Sequence, residues 1–165
     1  MSMSENVLTE SLQRDPGAEN YVDRKRHLWI LSVLWPATPL ISLYLVAQTG
    51  WSIWYGLVLI LWYGAVPLLD AMFGEDFSNP PESAVPRLEQ DRYYRVLTYL
   101  TVPVHYASLI VSCWWVATHP MNVFEFLALA LSLGIVNGLA LNTGHELGHK
   151  KETFDRWMAK LVLAV

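Results

Sequence analysis

The sequence predicts an all-α integral membrane protein: a helical bundle with four transmembrane helices and the start of a further segment. Three observations lead there. Apolar residues make up 53% of the 165 positions and charged ones only 16%, against roughly a quarter charged in ordinary soluble domains. Four apolar runs reach the length of about 20 residues that a helix needs to cross a bilayer. Finally, all 11 Lys and Arg residues fall on one side of the four-span arrangement that these runs imply.

The opening "MSMSENVLTESLQRDPGAEN" is polar and acidic and lacks the basic start and hydrophobic block of a signal peptide, so residues 1–22 read as a disordered tail. The spans follow at 28–47, 51–69, 96–117 and 123–143. Short connections at Gln48-Thr49-Gly50 and Thr118-His119-Pro120-Met121 contain no Lys or Arg, whereas residues 70–95 form a long polar loop holding "SNPPESAVPRLEQDRYYR". An excess of Lys and Arg marks cytoplasmic loops, which places the N-terminus, the long loop and the "HELGHKK" segment on the inner side. Prolines 36, 39, 67 and 103 lie inside the spans, and each should bend its helix and free a carbonyl. Gly134, Gly138, Gly144 and Gly148 recur at intervals that let another helix approach closely. Trp51, Trp54 and Tyr55 read as aromatics of the far interface, and the lone Cys113 as a small buried hydrophobe, with no disulfide partner in the chain. The closing "FDRWMAKLVLAV" begins another apolar or amphipathic segment, which suggests a longer chain.

Chemistry concentrates in "NTGHELGHKKE". His145 and His149 stand four residues apart, so on a helix they share one face and both imidazoles can reach one metal ion or neighbouring ions of a cluster. Ionisable groups beside a membrane span are costly and point to function. His145-Glu146-x-x-His149 satisfies the H-E-x-x-H pattern of zinc proteases, in which the glutamate activates a zinc-bound water. It fits equally an iron site whose other histidines come from elsewhere. The five residues do not separate a metalloprotease from an iron enzyme, and a helical scaffold whose histidines bind nothing is the third reading.

The stretches "LALNTGHELGHKKETFDRWMAK", "LWILSVLWPATPLI", "WYGLVLILWYGAVPLLDAMFGEDFSNPPE" and "RYYRVLTYLTVPVHYA" together closely resemble the membrane alkane 1-monooxygenases, from about Tyr21 to the end. The resemblance implies that residues 23–165 are the N-terminal part of a transmembrane hydroxylase domain in the membrane desaturase and hydroxylase superfamily. It further implies a centre of two non-haem iron ions that uses O₂ to hydroxylate the terminal methyl of medium-chain n-alkanes. Electrons would come from rubredoxin, itself reduced by an NAD(P)H-dependent rubredoxin reductase, and the setting would be a bacterial inner membrane. His145 and His149 match the family's first histidine box and would be iron ligands. The family's further boxes lie beyond Val165, so these residues alone should be inactive. No nucleic-acid partner is expected.

Other side chains carry smaller expectations. Glu146 would orient an imidazole or pair with a basic group; in the zinc reading it would be the base. Asn142 would bond a ligand histidine or satisfy the span end, and Asn137 would hold helices together. Buried His105 would pair with a neighbour or sit near the metal. Asp70, closing the second span on the inner side, would support a ligand histidine or be solvated, as Glu75 and Asp76 would be. Trp62, halfway along the second span, packs between helices or lines a substrate channel. Lys150, Lys151, Arg87, Arg92 and Arg95 would form a basic docking surface for an acidic redox partner, or anchor helix ends at the lipid surface.

Overall fold

A computed structural model describes residues 21–74 and 80–165, so the tail up to residue 20 and the expectations for Glu75 and Asp76 lie outside the described residues. The described residues form helices and connections with no strand. Three helices are long and apolar enough to cross a membrane: α3 (Ser52–Phe73), α5 (Arg92–Thr118) and α6 (Val123–Gly148). A bent pair, α1 (Arg26–Leu34) and α2 (Thr38–Thr49), makes a fourth crossing if counted as one span. The short α4 (Val85–Gln90) lies in the long loop, and α7 (Thr153–Val162) follows α6.

The first apolar run is therefore not one straight rod. It breaks by 63° at Trp35-Pro36-Ala37. Pro36 and Pro39 supply no N–H to the helical ladder, and each ring crowds the carbonyl four residues back. Polar side chains take up the exposed carbonyls: the Thr38 hydroxyl donates to Trp35 O, and Ser108 of α5 donates to Pro36 O. The second run is irregular in another way. α3 opens as 3₁₀ over Ser52–Gly56, widens to a π segment over Leu61–Ala65, and returns to α geometry over Val66–Phe73, around Pro67. Hydroxyls again serve the irregular backbone, since Ser42 of α2 donates to Trp54 O and Ser132 of α6 to Tyr55 O. Without water, such groups need internal partners.

α6 begins with a capping box. Asn122 Oδ1 accepts from the backbone N–H groups of Phe124 (2.9 Å) and Glu125 (3.1 Å), and Glu125 accepts from Asn122 N (2.9 Å). The helix then runs past the expected end at 143 to Gly148, so the histidine motif lies on the spanning helix itself. The polar Asn-Thr-Gly did not stop it, because Gly144 is not at a helix end but at a helix contact. A Cβ there would meet Leu163 Cδ2 at 2.5 Å, so any larger residue would displace the Leu163 side chain that seats the end of α7 on α6.

Two small apolar clusters hold the bundle. Leu43, Tyr55 and Leu129 meet where α2, α3 and α6 converge; Val102, Ala140 and Val162 join α5, α6 and α7. Tyr55 is thus a core residue and not an interface aromatic: only 5% exposed, its hydroxyl accepts from Trp115 Nε1 (3.0 Å). Cys113, expected to be buried, is exposed, because α5 turns its neighbour Ser112 inward. Of the apolar window of α3 only 6% is buried among the described residues, so its surface faces lipid or further protein.

The crossings alternate in direction. Ser52 bonds Glu125 at one end, while Arg26–Asp91 (2.9 Å) and Arg95–Glu152 ion pairs tie elements at the other. The HELGH motif lies at this second end, with the long loop and the start of α1.

Candidate metal centre

His145 occupies the last turn of α6 and His149 caps it. Both are exposed. Val136, Ala140, Gly144 and Leu147 form the buried face of the helix, so the imidazoles lie on the open side, on a stripe shared with exposed Gly138 and Asn142. Their rings meet edge to face with centroids 4.5 Å apart, and the two Nε2 atoms are 3.2 Å apart.

That separation tests the fit of a metal. Two imidazole nitrogens each about 2.1 Å from one ion, the usual metal–imidazole distance, subtend close to a right angle when about 3 Å apart. The pair therefore suits adjacent positions on a shared ion. Imidazole is a donor that iron, zinc and copper all accept, so the ring type does not choose among them. Among the described residues no group of three or more His, Cys, Asp or Glu side chains converges to hold an ion.

Glu146 points sideways. Its carboxylate lies 3.4 Å from Lys150 Nζ, and Lys150 in turn binds Glu89 of α4 at 2.9 Å. Partial burial draws the Lys150 ammonium down, but the two carboxylates outweigh it and raise its pKa overall. Since the folded value is raised, these pairs stabilise the fold at neutral pH and are lost only as an alkaline pH passes through it. These contacts line a cavity of about 300 Å³ walled by Tyr94, Arg95, Tyr99 and Asp155 on the other side.

Behind the histidine stripe, α7 is clamped in place. Asp155, 4% exposed, accepts from the Tyr99 hydroxyl and lies 3.8 Å from Arg95, which also pairs with Glu152. The Tyr106 hydroxyl donates to Leu161 O at 2.8 Å. With the close approach at Gly144, these contacts fix α7 against the turn that carries His145. The sequence reading did not single out Tyr99, Asp155 or Glu89. An aspartate inside an apolar, amphipathic stretch was the available signal.

The remaining candidates separate. His105 is buried on the inner face, its Nδ1 3.2 Å from Asn137 Oδ1, a link between α5 and α6. Asp70 is exposed on the last turn of α3, its backbone carbonyl accepting from Gly74 N. Trp62 lies in the π segment, 38% exposed, against Trp35. Of the basic residues, Lys150 and Arg95 are spent in ion pairs and Arg87 bonds Tyr21 O, while Arg92 and Lys151 are exposed.

No protein-family model matches the chain. Individual relatives do. It is 83% identical to alkane 1-monooxygenase 1 of Alcanivorax borkumensis over 163 residues, covering 99% of this chain and 40% of that protein. Over 148 residues it is 76% identical to the alkane 1-monooxygenase of Ectopseudomonas oleovorans and 73% identical to that of Pseudomonas putida. The chain belongs to the alkane 1-monooxygenase family. It corresponds to the N-terminal part of these longer proteins, covering 37% of each of the latter two. Within the family's leading portion, the helix carrying the two imidazoles has its histidine stripe turned away from the helices described here.

Proposed function

We propose that this chain is the leading part of a rubredoxin-dependent diiron monooxygenase. The enzyme would convert a medium-chain n-alkane, O₂, two electrons and two protons into the primary alcohol and water. The observation that carries the reading is the His145–His149 pair, with Nε2 atoms 3.2 Å apart at the end of a spanning helix, in a chain closely similar to proteins named for alkane hydroxylation. When bound, the two irons would supply O₂ activation. His145 and His149 would hold them through Nε2, which requires the proton of each neutral ring to sit on Nδ1.

The helices serve the substrate. An alkane offers no hydrogen-bonding group, so recognition rests on shape and desolvation. Each buried CH₂ contributes about 0.8 kcal/mol, which gives affinity but little choice of position along the chain. Selectivity for the terminal methyl would then follow from where a channel is blocked, and Trp62 is our candidate for the block. Asn142, on the histidine stripe, would bond a ligand ring; Glu146, tied to Lys150, would steady the turn between the ligands. Its sideways engagement favours this reading over a zinc protease, whose glutamate must face the metal. His105 would act through Asn137 and helix packing, and Asp70 would support a histidine from outside this chain. The Lys- and Arg-bearing end would face the bacterial cytoplasm at the inner membrane, where rubredoxin, reduced by its reductase, can approach Arg92 and Lys151.

In the full-length protein, His145→Ala and His149→Ala are each expected to abolish alkane hydroxylation and to lower bound iron from two per chain. Retention of iron together with turnover rules the pair out as ligands, and one zinc per chain with peptide-bond cleavage selects the protease. Trp62→Ser is expected to extend activity to longer alkanes at unchanged iron content.

A further inference from the structure

We infer that Trp35 is a positioning residue for chain-length selection: it braces Trp62 and so fixes the depth at which a hydrocarbon is stopped. The inference rests on the reading of Trp62 as the channel block.

Both irregularities of the first two spans meet at this pair. Trp35 begins the 63° break between α1 and α2, and Trp62 lies in the π segment of α3. Their ring centroids are 5.3 Å apart with planes inclined at 48°, a packed aromatic contact. π segments are uncommon and occur often at functional sites. Here the wider turn presents Trp62 to the break in the neighbouring helix.

The backbones that carry the two rings are not held equally. Trp35 is anchored on both sides: Thr38 bonds its carbonyl, and Ser108 of α5 bonds the next carbonyl at Pro36. Pro36 is itself buried. Trp62 lies on a helix that buries little among the described residues. Trp35 is the fixed partner and Trp62 the one whose orientation depends on it. The Trp35 indole Nε1 is buried without a hydrogen-bond partner among the described residues, an arrangement a purely apolar filler would avoid.

The test compares full-length variants in membranes by the ratio of turnover on longer to shorter n-alkanes, with iron content as the check on folding. Trp35→Ala is expected to raise that ratio several-fold with Trp62 intact, and Trp35→Phe, which keeps an aromatic face, to restore the parent profile. The double variant Trp35→Ala/Trp62→Ser should match Trp62→Ser alone, because the first residue acts through the second. If Trp62→Ser shifts the profile and Trp35→Ala does not, the bracing role is overturned and the channel reading stands. If additive shifts appear, Trp35 acts independently of Trp62 and the inference is wrong. Should Trp62→Ser leave the profile unchanged, the channel reading fails and the bracing role with it. If Trp35→Ala does not accumulate with iron, Trp35→Leu carries the same comparison.

Discussion

Gly144 shows how one missing methyl group positions a site. The residue precedes His145, and a Cβ there would fall 2.5 Å from Leu163 Cγ and Cδ2 and 3.2 Å from Val162 Cγ1. The Leu163 atoms belong to a half-exposed side chain that can rotate aside, whereas Val162 is buried and has less room to give. Gly144→Ala adds helix propensity yet turns the Leu163 side chain out of its packed position and crowds Val162, and overpacking of this kind costs about 1 kcal/mol or more. We expect a lower melting temperature and a reduced iron content of the full-length protein, with Leu163→Ala restoring part of both. The sequence placed this glycine in one of two pairs at four-residue spacing but could not single it out, because Gly134, Gly138 and Gly148 belong to the same pairs and have open space where a Cβ would be.

Helices are where the sequence spoke most clearly and where it was least exact. Length and hydropathy located all four apolar runs, since burial in lipid depends on composition over twenty residues. Proline positions indicated bends without indicating their size: Pro36 and Pro39 accompany a 63° break, whereas Pro103 stays within the continuous α5. The π segment had no signature beyond Pro67, and Tyr55, read as an interface aromatic, is core because α3 starts with a 3₁₀ turn packed between Ser42 and Ser132. Of the site, the shared face of His145 and His149 was legible from their i, i+4 spacing. The α7 clamp was not, because it pairs residues some fifty positions apart. The N-terminal segment is fastened similarly: Asp23 accepts from the Tyr94 hydroxyl (2.6 Å), from Lys25 N (2.8 Å) and from Trp29 Nε1 (3.1 Å). The Tyr94 bond leads in holding the Asp23 carboxyl below its ordinary value of 3.8. A depressed folded value means the contribution is present above that ordinary value and lost as pH falls below it. Proteolysis after Lys25 is expected to accelerate on acidification below pH 3.8 in a protease active there, and Asp23→Asn to remove the acid dependence.

On the scale of the molecule, the described helices leave a large surface without cover. The histidine stripe and most of α3 are uncovered, and the chain spans 40% or less of the relatives named above. If the centre is the proposed pair of irons, two imidazoles cannot satisfy it, so the 165 residues expressed alone in membranes are expected to retain no stoichiometric iron and to hydroxylate nothing; metal analysis of the purified chain checks this. The two ends of the bundle are fastened by different chemistry. Arg26–Asp91, Arg95–Glu152 and Lys150–Glu89 ion pairs surround the histidine end, whereas aromatic stacking of Trp115 on His119, the Trp115–Tyr55 bond and the Ser52–Glu125 bond, none of them an ion pair, hold the opposite one. Dissolved electrolyte weakens the first kind of fastening and hardly touches the second. A rise in salt should therefore loosen the rim around the imidazoles while the floor beneath stays rigid, making ionic strength a handle on one end of the molecule alone.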